Sequence, residues 1–238
     1  MRRLKLPPHT ALPAIAASLA VAMVTAGPAW ANPPNPPTTS PSPAAGDCTA
    51  TVVAAFEKQR TGRGYRMVTR QQSDRGEIVN TVDYLAPDRM HNVVVAPGEP
   101  HPLETIAIGR WAWANQGGGW QELQPQFAQS VTSHVATTLR QPIAPSEPFS
   151  CAGPVTRGER SFEAYRTEPR LVAPNKPEGT ENPKLVRTIL VDPATGLPAF
   201  NIVGGVTPSA PTVAEVAYSY PADLAIEAPD AVPANRNR

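Results

Sequence analysis

The stretch YLAPDRMHNVVVAPGEPHPLETIAIGRWAWANQGGGWQEL, Tyr84 to Leu123, decides the fold. It reads as consecutive antiparallel strands. Tyr84-Leu85 is followed by a turn at Pro87-Asp88, then by Met90 to Val95, Leu103 to Ile108, Arg110 to Ala114 and Trp120 to Leu123. Proline and glycine stand where a strand cannot continue. Trp111 and Trp113 are two apart, so their rings leave the same face of the sheet. Gly117-Gly118-Gly119 turns the chain before Trp120.

Working backwards, Tyr65 to Gln72 and Glu77 to Tyr84 form a hairpin around Ser73-Asp74-Arg75-Gly76. Ile78, Asn80, Val82 and Tyr84 share one face of its second strand, and Val79, Thr81 and Asp83 share the other. That alternation marks a sheet with one covered face and one wet face. Before it, Asp47 is placed to cap a helix from Cys48 to about Arg60, with Val52, Val53 and Phe56 at helical spacing. Gly62 and Gly64 stop it.

Working forwards, Pro125 to Arg140 breaks the strand pattern. Phe127, Val131, Val135 and Leu139 recur every four residues and predict one apolar stripe of an amphipathic helix. Strands follow at Phe149 to Ala152, Arg160 to Thr167, Leu185 to Val191, Phe200 to Val203, Thr212 to Tyr220 and Leu224 to Ile226. Pro169 to Pro183 is an exposed excursion, and Asp192-Pro193-Ala194-Thr195-Gly196 is a hairpin turn. About ten strands with two helices predict an α+β, mainly β fold. A sheet that long curls to cover its inner face, and the helices are its only plugs.

The chain has 238 residues, a net charge of +1 and 30 prolines. Near-balanced charge without a basic run beyond the first residues argues against nucleic acid as a partner. Arg2, Arg3 and Lys5, an apolar run from Ala14 to Val24 and Ala29-Trp30-Ala31 compose a secretory signal cut after Ala31. Losing three positive charges takes +1 to −2. The apolar run is shorter than the roughly 18 residues a membrane span needs, so no integral membrane segment is expected after cleavage. Cys48 follows Asp47 well beyond the apolar run, which rejects a lipid anchor. The expected organisation is a signal over 1–31, a Pro-rich linker over 32–46, one domain over 47–230 and a fraying tail over 231–238.

Cys48 and Cys151 are the only cysteines. In an exported chain an even pair reads first as a disulfide. A metal pair or a reactive thiol is the alternative, but neither cysteine has a further ligand at metal spacing. No catalytic constellation, metal set or cofactor motif is present: His91, His101 and His134 are scattered, and HxH, HExxH and GxSxG are absent. His91 and His134 are candidates to meet in space, as are Asp83, Asp88 and Glu104. Surface or core positions and solvent-facing strand charges are the plainer readings. Trp111, Trp113 and Trp120 read either as sheet core or as the wall of an apolar pocket.

Four pieces carry a family resemblance: YLAPDRM at Tyr84 to Met90, IAIGRWAWANQGGGWQEL at Ile106 to Leu123, ILVDPATGLPAFN at Ile189 to Asn201 and YSYPADLAIEAP at Tyr218 to Pro229. In this order, with a helix between the second and third, the chain resembles the lipoprotein-carrier-like superfamily of LolA-like and LppX/LprG-like exported proteins, over roughly Thr49 to Pro229. The resemblance implies a strongly curved antiparallel half-barrel with helices as a lid over an apolar concave face. It also implies a periplasmic or secreted protein that binds an apolar small molecule or lipid. The lipoprotein carrier has an arginine before the proline matching Pro87. This chain has Ala86 there, with Arg89 following, and it lacks the anchoring cysteine of the lipid-binding lipoprotein relatives. On this reading the cavity residues are Tyr84, Val94, Ile106, Trp111, Trp113, Trp120, Phe127, Val131, Val135 and Tyr218. The competing reading is a module that docks another envelope protein and takes no small ligand.

Overall fold

The computed structural model describes residues 46–171, 184–207 and 210–233. The expected signal and nearly all of the expected linker lie outside these residues, as do most of the Pro169 to Pro183 excursion and the last five residues of the tail.

Among the described residues twelve strands form one antiparallel sheet. They are β1 (Gly64–Ser73), β2 (Gly76–Leu85), β3 (Arg89–Val95), β4 (Leu103–Ile108), β5 (Trp111–Asn115), β6 (Trp120–Glu122), β7 (Ser150–Arg157), β8 (Arg160–Arg166), β9 (Arg170–Leu171), β10 (Lys184–Asp192), β11 (Leu197–Gly205) and β12 (Thr212–Ser219). The order across the sheet is β6-β5-β4-β3-β2-β1-β12-β11-β10-β8-β7, with β9 beside β10. Each consecutive pair is a hairpin neighbour except β6 and β7, which α2 separates, and β8 and β9, which both pair with β10; β12 returns to β1. β6 and β7 do not pair, so the sheet is an open half-barrel and not a closed one.

Both free edges are covered by the ends of the described chain. Asp47 bridges Ser150 of β7, and Val232 runs parallel to β6, giving its N–H to Trp120 O at 3.0 Å and accepting from Glu122 N at 2.9 Å. An unpaired edge is a template for aggregation, and these two short pairings blunt it. The expected fraying from residue 231 therefore begins no earlier than the Val232 pairing. Leu224 and Ile226, expected in a strand, are instead buried without a ladder. They lie in a segment that crosses the strand ends, and Arg89 Nη1 donates to Ile226 O at 2.6 Å.

α1 (Thr49–Thr61) starts where Asp47 Oδ1 accepts from Thr49 N at 2.9 Å, and it ends at Gly62. Its buried residues Val52, Ala55, Phe56 and Gln59 follow the i, i+3, i+4, i+7 pattern of one face. Val52, Ala55 and Phe56 pack on Phe149, Tyr165, Ile189 and Val191. Cys48 and Cys151 are joined by a disulfide that ties the start of this helix to β7.

α2 (Pro125–Arg140) takes Pro125 in its first turn, where a missing N–H costs nothing. It buries Ala128, Val135 and Leu139 on Tyr65, Val82, Tyr84, Met90, Ala107 and Ala112. Phe127, expected on this stripe, is 59% exposed. A spacing of four residues advances about 40° beyond a full turn, so three such steps rotate Phe127 about 120° away from Leu139. Ala128 takes its place. The helices meet at one end, where Arg60 Nη1 donates to the carbonyls of Leu139 and Arg140 at 3.3 and 3.4 Å and Glu57 Oε1 accepts from Ile143 N at 2.6 Å. A cation at a helix C-terminus satisfies carbonyls that have no partner within the helix.

Candidate functional site: the concave face between the helices

The register sorts the side chains into rungs, because directly opposed residues share a face. The upper rung under α2 is Tyr65–Tyr84–Met90–Ala107–Ala112. Ala107 and Ala112 are fully buried, and their small size lets α2 approach the sheet closely. Here the hollow is filled by the protein's own side chains.

Two rungs below, the face is less covered. One reads Tyr218–Met67–Val82–Asn92–Thr105–Ala114 and the next Asn201–Val216–Thr69–Asn80–Val94–Leu103. Every member of the second is half-buried, as is every member of the first except buried Val82. α1 packs on β1, β10 and β11, and α2 packs on β4 and β5. Below the upper rung, where α2 covers Tyr84 and Met90, β2 and β3 lie between the two footprints. The second rung spans six strands, roughly 24 Å at ~4.8 Å per spacing.

Four tyrosines gather at the core cluster under α2, and the fifth, Tyr165, shares this face under α1. Tyr84 Oη lies 3.2 Å from His134 Nε2, and Tyr220 Oη donates to Pro198 O at 2.7 Å. Burial pushes the hydroxyls of Tyr65, Tyr84, Tyr218 and Tyr220 above their ordinary range, and for Tyr65 and Tyr220 the neighbouring tyrosines add to it. At neutral pH all four are neutral donors.

Of the residues expected to form the cavity, Tyr84, Val94 and Tyr218 lie on the concave face, and Val131 and Val135 lie on the side of α2 that meets it. Ile106, Trp111, Trp113 and Trp120 alternate to the opposite, helix-free face: Ile106 opposes Trp113, Ile108 opposes Trp111 and Asn115 opposes Trp120. Trp111, at the end of its strand, also borders an open pocket of about 420 Å³ with Leu123, Pro125 and Ala128 beside the first turns of α2. Phe127 borders a second, of about 440 Å³, with Gly118, Gly119 and Gln121. Both lie toward the β6 edge.

Sequence reasoning assigns no role to Met67, Thr69, Asn92 or Thr105. It places Asn80 on the same face as Tyr84 but draws nothing from it. The available signal is alternation back from Tyr84. The missing one is the register that carries that face across to β3 and β4.

Of the groups weighed for chemistry, His91 meets Glu104 and opposes Asp83 across β2 and β3. His91 sits on the helix-free face, 3.2 Å from Glu104 Oε2, so it does not meet His134. Asp83 is held by Arg66 through two bonds of 2.6 and 2.8 Å on that same outer face. Among the described residues no three His, Cys, Asp or Glu side chains stand close enough to hold a metal ion. Among them, too, no helix is long and apolar enough to cross a membrane.

No family model matches the chain, and no curated protein matches it. Solved structures do. The Mycobacterium tuberculosis lipoprotein LppX is 11% identical with a TM-score of 0.46, covering 72% of this chain and 92% of that one. An uncharacterised conserved protein from Thermus thermophilus is 11% identical with a TM-score of 0.41, covering 78% and 98%. A LolA superfamily protein from Nitrosomonas europaea is 11% identical with a TM-score of 0.28, covering 74% and 93%. LppX and the Nitrosomonas protein are of the LolA/LppX-like group that the sequence fragments resemble. Each is a distant likeness of fold.

Proposed function

We propose that this chain is an exported, soluble, non-catalytic protein that holds an apolar ligand, a lipid or acyl chain, on its concave face and serves as a carrier or sensor. The observation that carries the reading is the half-buried strip over β2 and β3, between the footprints of the two helices. Met67, Val82, Val94, Leu103 and Val216 supply its apolar surface. A twelve-carbon chain buried along its length is worth about 9 kcal/mol at ~0.8 kcal/mol per methylene. That exceeds the lower range of association costs, about 4 kcal/mol and upward.

The leader is removed after Ala31 in this reading. The Cys48–Cys151 bond suits an oxidising compartment. A second reading, an envelope interaction module, is favoured by one observation: Trp113 and Trp120 remain half-exposed on the helix-free face. Native mass spectrometry of protein purified from an export-competent host separates the two. Persistent lipid-sized adducts are the expected result. A bare mass with a co-purifying envelope protein favours the module and rejects the carrier.

A further inference from the structure

Two buried amide oxygens lack partners on the floor of the strip. Asn80 Oδ1 and Asn92 Oδ1 are both sealed from solvent and accept no hydrogen bond. Buried polar atoms in folded proteins are nearly always paired, so two orphans in one patch call for an explanation. They are diagonal neighbours: Asn80 opposes Val94, and Val82 opposes Asn92. Thr69 faces Asn80 and Thr105 faces Asn92 across the next strands. The result is a neutral polar block set in the strip's apolar surface. Neither rung carries a charged side chain. Arg187, on the rung below, is engaged: its Nε donates to Asn201 Oδ1 at 3.0 Å and its guanidinium stands 5.9 Å from the Phe149 ring.

We propose that the strip recognises an amphiphile whose polar end is uncharged and hydrogen-bonding, a hydroxyl or an amide, held by Asn80 and Asn92 as their amides turn to present the orphaned oxygens. This rests on the reading of the strip as a ligand site. A carboxylate or phosphate entering a partly desolvated surface needs a cation, and the block offers none. An asparagine amide both donates and accepts, so its best match does the same.

The test is displacement of the apolar fluorophore N-phenyl-1-naphthylamine from the mature chain at pH 8 by three twelve-carbon competitors below their micellar concentrations. These are 1-monolauroylglycerol, N-lauroylglycinamide and laurate. At least one neutral competitor is expected to displace the probe at a tenfold or more lower concentration than laurate, and their ranking separates hydroxyl from amide. The Asn80→Leu/Asn92→Leu variant is expected to lose the preference, so that the neutral competitors and laurate displace the probe at similar concentrations. The single variants Asn80→Thr and Asn92→Thr, which suit a strand, are expected to reduce it partially and serve if the double variant does not fold. Equal competition by laurate, or a preference that survives in the variants, overturns this inference while leaving the apolar site standing. Failure of the wild type to bind the fluorophore overturns both.

Discussion

At the scale of single residues, the outcome at Trp111-Ala112-Trp113-Ala114 is the most instructive. Alternation correctly puts both tryptophans on one face, but alternation does not say which face the helix covers. Size points to the tryptophans as the covered side, whereas a helix packed closely on a sheet needs small residues beneath it. Ala107 and Ala112, opposed and fully buried, are those residues. Ala112→Leu is therefore expected to overpack the α2 contact and cost about 1–3 kcal/mol, read as a lower urea midpoint with an unchanged slope. The four tyrosines make a second residue-scale prediction. Their folded values lie above the ordinary tyrosine value of about 10. Above that pH the folded state binds more protons than the unfolded one. Their contribution is complete below pH ~10 and is lost as pH rises beyond it. Stability measured across pH 8 to 12 is expected to hold and then fall, and the Tyr65→Phe variant is expected to flatten the fall.

At the scale of elements, hairpins and helices are legible wherever a turn residue or a capping group marks them. The departures have local causes. The sequence pattern stops β7 at Ala152, yet the strand runs on through Pro154 to Arg157. It is an edge strand of the main path, where a missing N–H is tolerated. The pattern starts β11 at Phe200, but the strand begins at Leu197 with Pro198 buried in it. The expected α2 stripe has a period of four where the helix has 3.6, and Phe127 falls off it. That correction yields a paired prediction. Val131→Asp, on the half-buried flank of α2, is expected to weaken binding of an apolar fluorophore at least tenfold with the sheet still folded by circular dichroism. Phe127→Asp is expected to change stability by less than about 0.5 kcal/mol, because its side chain is mostly in water already.

At the scale of the whole molecule, the open curved sheet and its two helices are readable from strand count and helix placement. The depth of the hollow is not, because filling depends on register between strands that the sequence does not state. The upper part is core, and only the lower rungs present a strip. The disulfide acts at this scale too, closing a sequence separation of 103. Chain-entropy reasoning assigns such a loop about 4–5 kcal/mol. The Cys48→Ser/Cys151→Ser variant is expected to unfold at a clearly lower temperature than the oxidised protein in a thermal scan. The central claim is that ligand lies on the concave strip between the helix footprints. Methyl-resolved NMR of the mature chain, titrated with 1-monolauroylglycerol, tests it most directly. Shifts are expected to centre on Met67, Val82, Val94, Leu103, Val131 and Val216. Shifts confined to the outer face around Ile106, or no shifts at all, would contradict it.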